Sequence, residues 1–323
     1  MADPLLEIKD LHVGFDVYGG TLRVLDGVNL TVRKGEKIGL VGETGCGKTT
    51  TAKSALRILP IPPARIFNGE ILFKGEDVLR MEQSRLQRVR AGGISMIFQD
   101  PTAALNPVFT IGEQLMDAIK YSGKSSSKKE IRARAVQTLK DVALPDPERI
   151  MKNYPIQLSG GMRQRICIAM ALVTGSELLI ADEPTTSLDV TIQDQVLRLL
   201  EELVEERNTS TILITHTLGI VREWTDRVYV MYAGSMVEAA KTKGLFSNPL
   251  HPYTQGLMGA VPKLTGGGIA EGITGRIPDY LNPPAGCRFH PRCERAMPVC
   301  KKTRPPFFNV GDDHQVACFL YKE

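Results

Sequence analysis

The chain has 323 residues, 42% of them apolar, which is enough for a packed core and room for more than one domain. Forty basic against thirty-six acidic residues leave a net charge of +4, spread too evenly to argue for a nucleic-acid surface, and no apolar stretch reaches the roughly 18–20 residues that a bilayer span needs. The first residues, Met-Ala-Asp-Pro-Leu-Leu-Glu, lack the basic region and apolar core of a secretory leader, so a cytosolic chain is expected.

In chain order, Leu6–Val13 alternates apolar and polar residues, and Leu22–Val32 repeats the pattern after Tyr18-Gly-Gly-Thr21, which predicts a small antiparallel sheet. Phe15 or Tyr18 offers a flat face on which an adenine ring can stack; the alternative is an ordinary surface or core ring. Lys37–Val41 is a continuous apolar run of strand length, followed by Gly42-Glu-Thr-Gly-Cys-Gly-Lys-Thr49 and a helical run beginning Thr49-Thr50. That loop fits the phosphate-binding pattern, in which glycines (here Gly42, Gly45 and Gly47) let backbone N–H groups close around phosphate oxygens while Lys48 and Thr49 serve the outer phosphates and Mg²⁺. The helix dipole behind it favours the same anion, and the pattern spells a nucleoside triphosphate. A thiol at Cys46 within such a loop predicts alkylation with loss of ATP binding, and protection by MgATP.

Gly93–Pro101 reads as a buried strand ending in Gln99 and Asp100, a position where ligand residues gather in α/β folds. From about Asn106 to Asn153 the pattern is helical, with Ile111, Leu115 and Ile119 on one face, a polar break at Ser125–Lys129 and a second periodic run through Leu139. Leu158-Ser-Gly-Gly-Met then opens a buried helix. Ser159, Gly160 and Gly161 there are either a second phosphate surface or a simple N-cap. Leu178–Asp182 is an apolar strand stopping at two carboxylates: Asp182 suits the Mg²⁺ shell, and Glu183 suits activation of the attacking water. Ser187-Leu-Asp189 opens a helix with Ile192, Val196, Leu199, Leu200 and Leu203 on one face, and Thr211–Thr215 is another buried strand ending at His216, placed to reach a γ-phosphate.

Gly42–Thr49, Gln99, Leu158-Ser-Gly-Gly-Met162, Leu178–Glu183, Ser187-Leu-Asp189 and His216 resemble, in order and spacing, the Walker A, Q-loop, signature, Walker B, D-loop and H-loop of an ATP-binding cassette (ABC) ATPase. Asn248–Leu257, Asn282–Cys293, Arg304-Pro-Pro306 and Val316-Ala-Cys318 resemble the tail of oligopeptide and dipeptide permease ATPases. Departures are Thr217 in place of an Asp after the His, Thr44 and Cys46 in place of serines, and the link Gly266–Gly268.

The resemblance implies an α/β cassette with a mixed sheet core, a small antiparallel subdomain and a helical subdomain over about 100–165. The cassette would fill 1–245, and a small Cys-rich C-terminal domain 246–323. It implies hydrolysis of MgATP with Glu183, His216, Lys48 and Gln99 as catalytic groups and Thr49, Gln99 and Asp182 on Mg²⁺. ATP would be held by Gly42, Glu43, Thr44, Gly45, Cys46, Gly47, Lys48, Thr49 and Thr50, by Asp189, and by Ser159, Gly160 and Gly161 of a second ATPase subunit. Two membrane-spanning permease subunits, an external peptide-binding protein and a place on the cytoplasmic face of the membrane follow, with no nucleic-acid partner. Alternatives are a soluble cassette ATPase of nucleic-acid metabolism and a nickel-type importer.

Cys287, Cys293, Cys300 and Cys318 form C-x5-C-x6-C-x17-C, looser than the tight pairs of most structural zinc sites. Four thiolates suit zinc or an iron–sulfur cluster. In the family resembled, similar cysteines are associated with a [4Fe–4S] cluster, which is the expectation here, with Zn²⁺ as the alternative.

Overall fold

A computed structural model describes residues 3–123, 127–186, 188–260, 272–311 and 313–322. Ser187, Ser125 and Ser126 of the polar break, and the Gly266–Gly268 link lie outside the described residues. The strands are β1 Pro4–Val17, β2 Gly20–Arg33, β3 Lys37–Val41, β4 Ala64–Phe73, β5 Glu76–Asp77, β6 Ile94–Ile97, β7 Leu178–Asp182, β8 Ser210–Ile214, β9 Arg227–Tyr232, β10 Ser235–Lys241, β11 Phe308–Asn309 and β12 Gln315–Val316. The chain divides into two compact units, one of Met1–Arg33, Lys37–Leu79 and Leu213–Glu323, the other of Lys34–Glu36 and Arg80–Ile212.

In the first unit, β2-β1-β4-β5 make the expected antiparallel sheet. The β1–β2 hairpin closes through Val17↔Gly20. The same unit holds a mixed sheet: β3 runs parallel to β9, with Val41 opposite Val230, while β9–β10 is an antiparallel hairpin, β12 adds antiparallel to β10, and β11 antiparallel to β12. Four of the five β3 residues are buried, which is why the strand reads as an unbroken apolar run.

The described C-terminal residues belong to this unit and share its core. Phe289 is buried among Val41, Val230, Tyr232 and Tyr253, and Cys287 and Cys293 pack against the same cluster. The Tyr232 ring lies 4.6 Å from Tyr253 and meets Phe289 edge-on at 5.0 Å. A second anchor is polar. Glu238 of β10 is fully buried, accepts the N–H groups of Leu250 and His251 at 2.8 Å each, and pairs with His314 Nε2 at 2.7 Å.

In the second unit, β6 and β7 pair in parallel, Ile94↔Leu178 through Ile97↔Ala181, and every β7 residue is buried. Its helices include Ile111–Tyr121, opened by a Thr110–Glu113 capping box, Lys128–Asp141, Gly160–Val173 and Val190–Glu206. Ile111, Leu115, Ile119 and Leu139 are all at 0% exposure, as their helical spacing predicts. Among the described residues, no helix is long and apolar enough to cross a membrane.

Candidate ATP site and the cysteine segment

In the first unit the Gly42–Thr49 loop joins β3 to the helix Lys48–Ala55. Gly42 has φ 150°, and a Cβ there would fall 2.1 Å from the Met231 carbonyl, so the close approach of the loop to β9 admits only glycine. The Lys48 ammonium donates to the Gly42 and Glu43 carbonyls at 2.7 and 3.0 Å, and its side chain is buried. Thr49 and Thr50 are half-buried at the start of the helix, while Thr44 and Gly45 are exposed.

Gly47 differs from its neighbour Gly45 in being buried, directly before the helix as its N-cap residue. It has φ 109°, and a Cβ there would fall 2.7 Å from the Leu25 side chain, so β2 closes off the inner side of the loop at this point. The Gly47 carbonyl accepts from the Thr51 N–H at 2.9 Å and from Thr51 Oγ1 at 3.0 Å. Only its backbone N–H is therefore left to serve a phosphate. Gly234 N–H donates to the Cys46 carbonyl at 2.8 Å, tying the loop to the β9–β10 turn.

Cys46 corrects one expectation. Its side chain is at 0% exposure, turned inward beside Gly42, and burial pushes the thiol pKa up, with the nearby Lys48 charge opposing. A buried, protonated thiol is a slow nucleophile. Alkylation of Cys46 in the folded chain at neutral pH is therefore expected to run on the order of a hundredfold slower than in the denatured chain; equal rates, read by mass spectrometry of the loop peptide, would contradict this placement.

Phe15 lies on β1 opposite Leu22 and Ala64 and is half-buried, whereas Tyr18 is fully exposed at the hairpin turn. His216, exposed, lies two residues past the end of β8, after the buried Thr215.

The second unit collects the remaining groups. Gln99 follows β6 and Glu183 follows β7, and the parallel pairing of those strands brings them together: Gln99 Nε2 donates to Glu183 Oε2 at 3.0 Å. Thr186 Oγ1 donates to the same oxygen at 3.0 Å, a residue that motif reading passed over. Glu183 sits at φ 47°, a left-handed conformation rare outside glycine, which turns it sharply away from the buried strand. Asp182, the last strand residue, is only 2% exposed.

Ser159 is exposed and caps the helix Gly160–Val173, its hydroxyl accepting from Met162 N at 3.3 Å. A Cβ on Gly161 would meet Ile192 at 2.9 Å. Arg163, one turn in, donates to Thr102 Oγ1 at 2.9 Å, linking this helix start to the segment after Gln99. Asp189 precedes the helix Val190–Glu206 as its N-cap residue.

The cysteine segment lies in the first unit. All four cysteines are free thiols, and among the described residues no group of three or more His, Cys, Asp or Glu is arranged to hold a metal ion. Burial favours neutral thiols: it pushes Cys287 up to about 11 and raises Cys293 and Cys318 as well. Two of them are neighbours through the backbone, where the Cys287 N–H donates to the Cys300 carbonyl at 2.9 Å.

Comparison with known proteins gives the lineage. The family model described as ABC transporter matches residues 25–186, and that described as the oligopeptide/dipeptide transporter C-terminal region matches 237–300. The dipeptide transport ATP-binding protein DppD of Bacillus subtilis is 47% identical over 319 residues, covering 98% of this chain and 95% of that protein. The oligopeptide transport ATP-binding protein OppD of Salmonella typhimurium is 45% identical, covering 98% and 94%. Among solved structures, a dimeric ATP-binding cassette in a post-hydrolysis state bound to ADP and Pi is 26% identical with a TM-score of 0.65, covering 73% of this chain and 98% of that one.

Proposed function

The chain belongs to the ABC transporter ATP-binding family, and we propose that it is the ATP-hydrolysing subunit powering import of di- and oligopeptides through a membrane permease. The observation that carries the hydrolytic reading is the Gln99–Glu183 contact at 3.0 Å, at the ends of two paired parallel strands. Ligand chemistry gathers at such strand ends.

Lys48 and the N–H groups of the loop, those of Gly45, Gly47, Thr49 and Thr50 among them, receive the phosphates, and Phe15 or Tyr18 stacks on the adenine. The oxygen donors Thr49, Gln99 and Asp182 suit a hard cation, and the buried Asp182 carboxylate is a fitting ligand for one. Mg²⁺ so held would neutralise charge on the outer phosphates. Glu183, oriented through Oε2 by Gln99 and Thr186, takes the proton of the attacking water, and His216 holds the γ-phosphate. The exposed Ser159, with Gly160 and Gly161, covers the ATP of a second ATPase subunit, identical or homologous, and Asp189 helps hold the chain's own.

Val108, Phe109, Tyr154 and Ile156 are exposed at 71%, 49%, 43% and 85%. The Ile111 N–H to Asn153 carbonyl bond at 2.9 Å sets their two loops side by side, an apolar surface of the kind a permease subunit would cover. On this reading the chain is a peripheral subunit on the cytoplasmic face of the membrane, served by an external peptide-binding protein.

For the cysteines the reading is a [4Fe–4S] cluster held by Cys287, Cys293, Cys300 and Cys318, with Zn²⁺ as the alternative. Its support is the donor set and the backbone bond that sets Cys287 beside Cys300. Such a centre, when bound, would keep the four thiols that hold it deprotonated.

Purification of the tagged chain from membranes tests the function. Two permease subunits and a partner ATPase are expected to co-isolate, with iron and matching sulfide in the anaerobic preparation. Recovery free of permease, with hydrolysis stimulated by duplex DNA, would overturn the transport reading; stoichiometric zinc would replace the cluster.

A further inference from the structure

Side chains from the C-terminal region end on the phosphate loop itself. Arg292 forks onto Glu43, with Nη1 at 2.8 Å from Oε2 and Nη2 at 3.0 Å from Oε1. The Tyr280 hydroxyl donates to the Gly45 carbonyl at 2.7 Å. The Tyr253 hydroxyl accepts from the Glu43 N–H at 2.8 Å.

Each of these side chains is fixed from behind. The Arg292 side chain is 6% exposed and also donates to the carbonyls of Thr274 and Ile273 at 2.8 and 3.0 Å. Tyr280 is held at its backbone, where the Arg23 N–H donates to its carbonyl at 2.8 Å. Tyr253 is fully buried in the aromatic cluster with Tyr232 and Phe289. The loop is therefore gripped by a preorganised surface.

Two physical consequences follow. A glycine-rich loop loses much conformational entropy when it orders around an anion, so contacts that order it beforehand strengthen binding. Glu43 is also a carboxylate within a loop that must accept a polyanion. Left unpaired it repels phosphate; paired with a bidentate guanidinium it does not.

The geometry points to Arg292, Tyr280 and Tyr253 as positioning residues for nucleotide binding, through which the C-terminal region holds the phosphate loop in its anion-receiving form and cancels the Glu43 charge. This rests on the reading of Gly42–Thr49 as the ATP phosphate site. It gives the region beyond β10 a part in the ATPase site, and it places that grip one residue from Cys293.

The test is MgATP affinity of the full-length chain by calorimetric titration, with near-ultraviolet circular dichroism to confirm the fold. Arg292→Gln is expected to weaken binding about tenfold, the scale of a lost charge-assisted bidentate pair. Arg292→Lys, keeping the charge but not the fork, is expected to fall between Arg292→Gln and wild type. The Glu43→Gln/Arg292→Gln double variant is expected to recover part of that loss and bind more tightly than Arg292→Gln alone, because the unpaired carboxylate is gone. Tyr280→Phe, which removes one hydroxyl, is expected to weaken binding about threefold.

Rescue by the second substitution is the outcome that a merely structural role does not produce. A folded Arg292→Gln chain with wild-type affinity, or a double variant as weak as Arg292→Gln alone, would overturn the inference. If Arg292→Gln does not fold, Tyr280→Phe decides, and unchanged affinity there overturns the inference. A wild-type chain that does not bind MgATP overturns the loop reading itself, and the grip with it.

Discussion

Glu183→Gln in the assembled transporter is expected to lower ATP hydrolysis by about 10²- to 10⁴-fold, the contribution of a positioned general base. ATP binding is expected to survive, because Lys48 and the loop glycines do not depend on the Glu183 proton acceptor. The substitution keeps the side-chain shape, and the Gln99 amide and Thr186 hydroxyl, both directed at Oε2, can still meet a carbonyl oxygen there. Lost hydrolysis would then report the missing base and not a rearranged site. Hydrolysis within about tenfold of wild type would remove Glu183 from that role. The φ of 47° at this residue shows how the chain reaches the geometry: a strand buried along its length must turn abruptly to deliver a carboxylate to its end.

The second large effect is on stability. Glu238→Ala is expected to destabilise the chain by about 3–5 kcal/mol, since each buried donor left without its acceptor costs roughly 1–3 kcal/mol. The substitution orphans the N–H groups of Leu250 and His251 and strips His314 of its carboxylate, all at a fully buried position. A variant melting within a degree of wild type would contradict this accounting. His251 adds a pH dependence. Burial lowers its imidazole to about 4, with the Glu238 charge opposing. An imidazole kept neutral in the fold contributes stability that is complete above its unfolded pKa and is lost as pH falls from about 6.5 toward 4, where the unfolded chain takes up the proton first.

The phosphate loop and the Asp182–Glu183 pair were legible because each sits at the end of a strand whose residues are buried on both faces. Lys37–Val41 and Leu178–Asp182 read as apolar runs, and the chemistry begins at the first polar residue after each. The helix Ile111–Tyr121 was legible for the matching reason, since one face is buried and the capping pair Thr110–Glu113 is local.

What sequence could not reveal are partnerships across great distances. Arg292 and Glu43 stand 249 residues apart, and Tyr280 and Gly45 stand 235 apart. No periodicity encodes either pair. Both C-terminal residues lie in or next to stretches singled out for other reasons, Arg292 as the neighbour of Cys293, and there the cysteines drew the attention. The two-residue strands β11 and β12 are too short for alternation to register, yet they bind the tail to β10. Cys46 and Gly47 are a different case: the motif fixes their place in the loop, but the inward turn of the Cys46 side chain and the burial of Gly47 depend on β9 and β2, which the motif does not contain.

ATP hydrolysis in proteoliposomes carrying this chain with a permease and partner ATPase, with and without peptide-loaded binding protein, is the most direct test of peptide import. Hydrolysis is expected to rise when loaded binding protein is added, labelled peptide to accumulate inside in step with it, and Glu183→Gln to abolish both. Hydrolysis indifferent to the loaded protein, with no peptide entering, would contradict that reading.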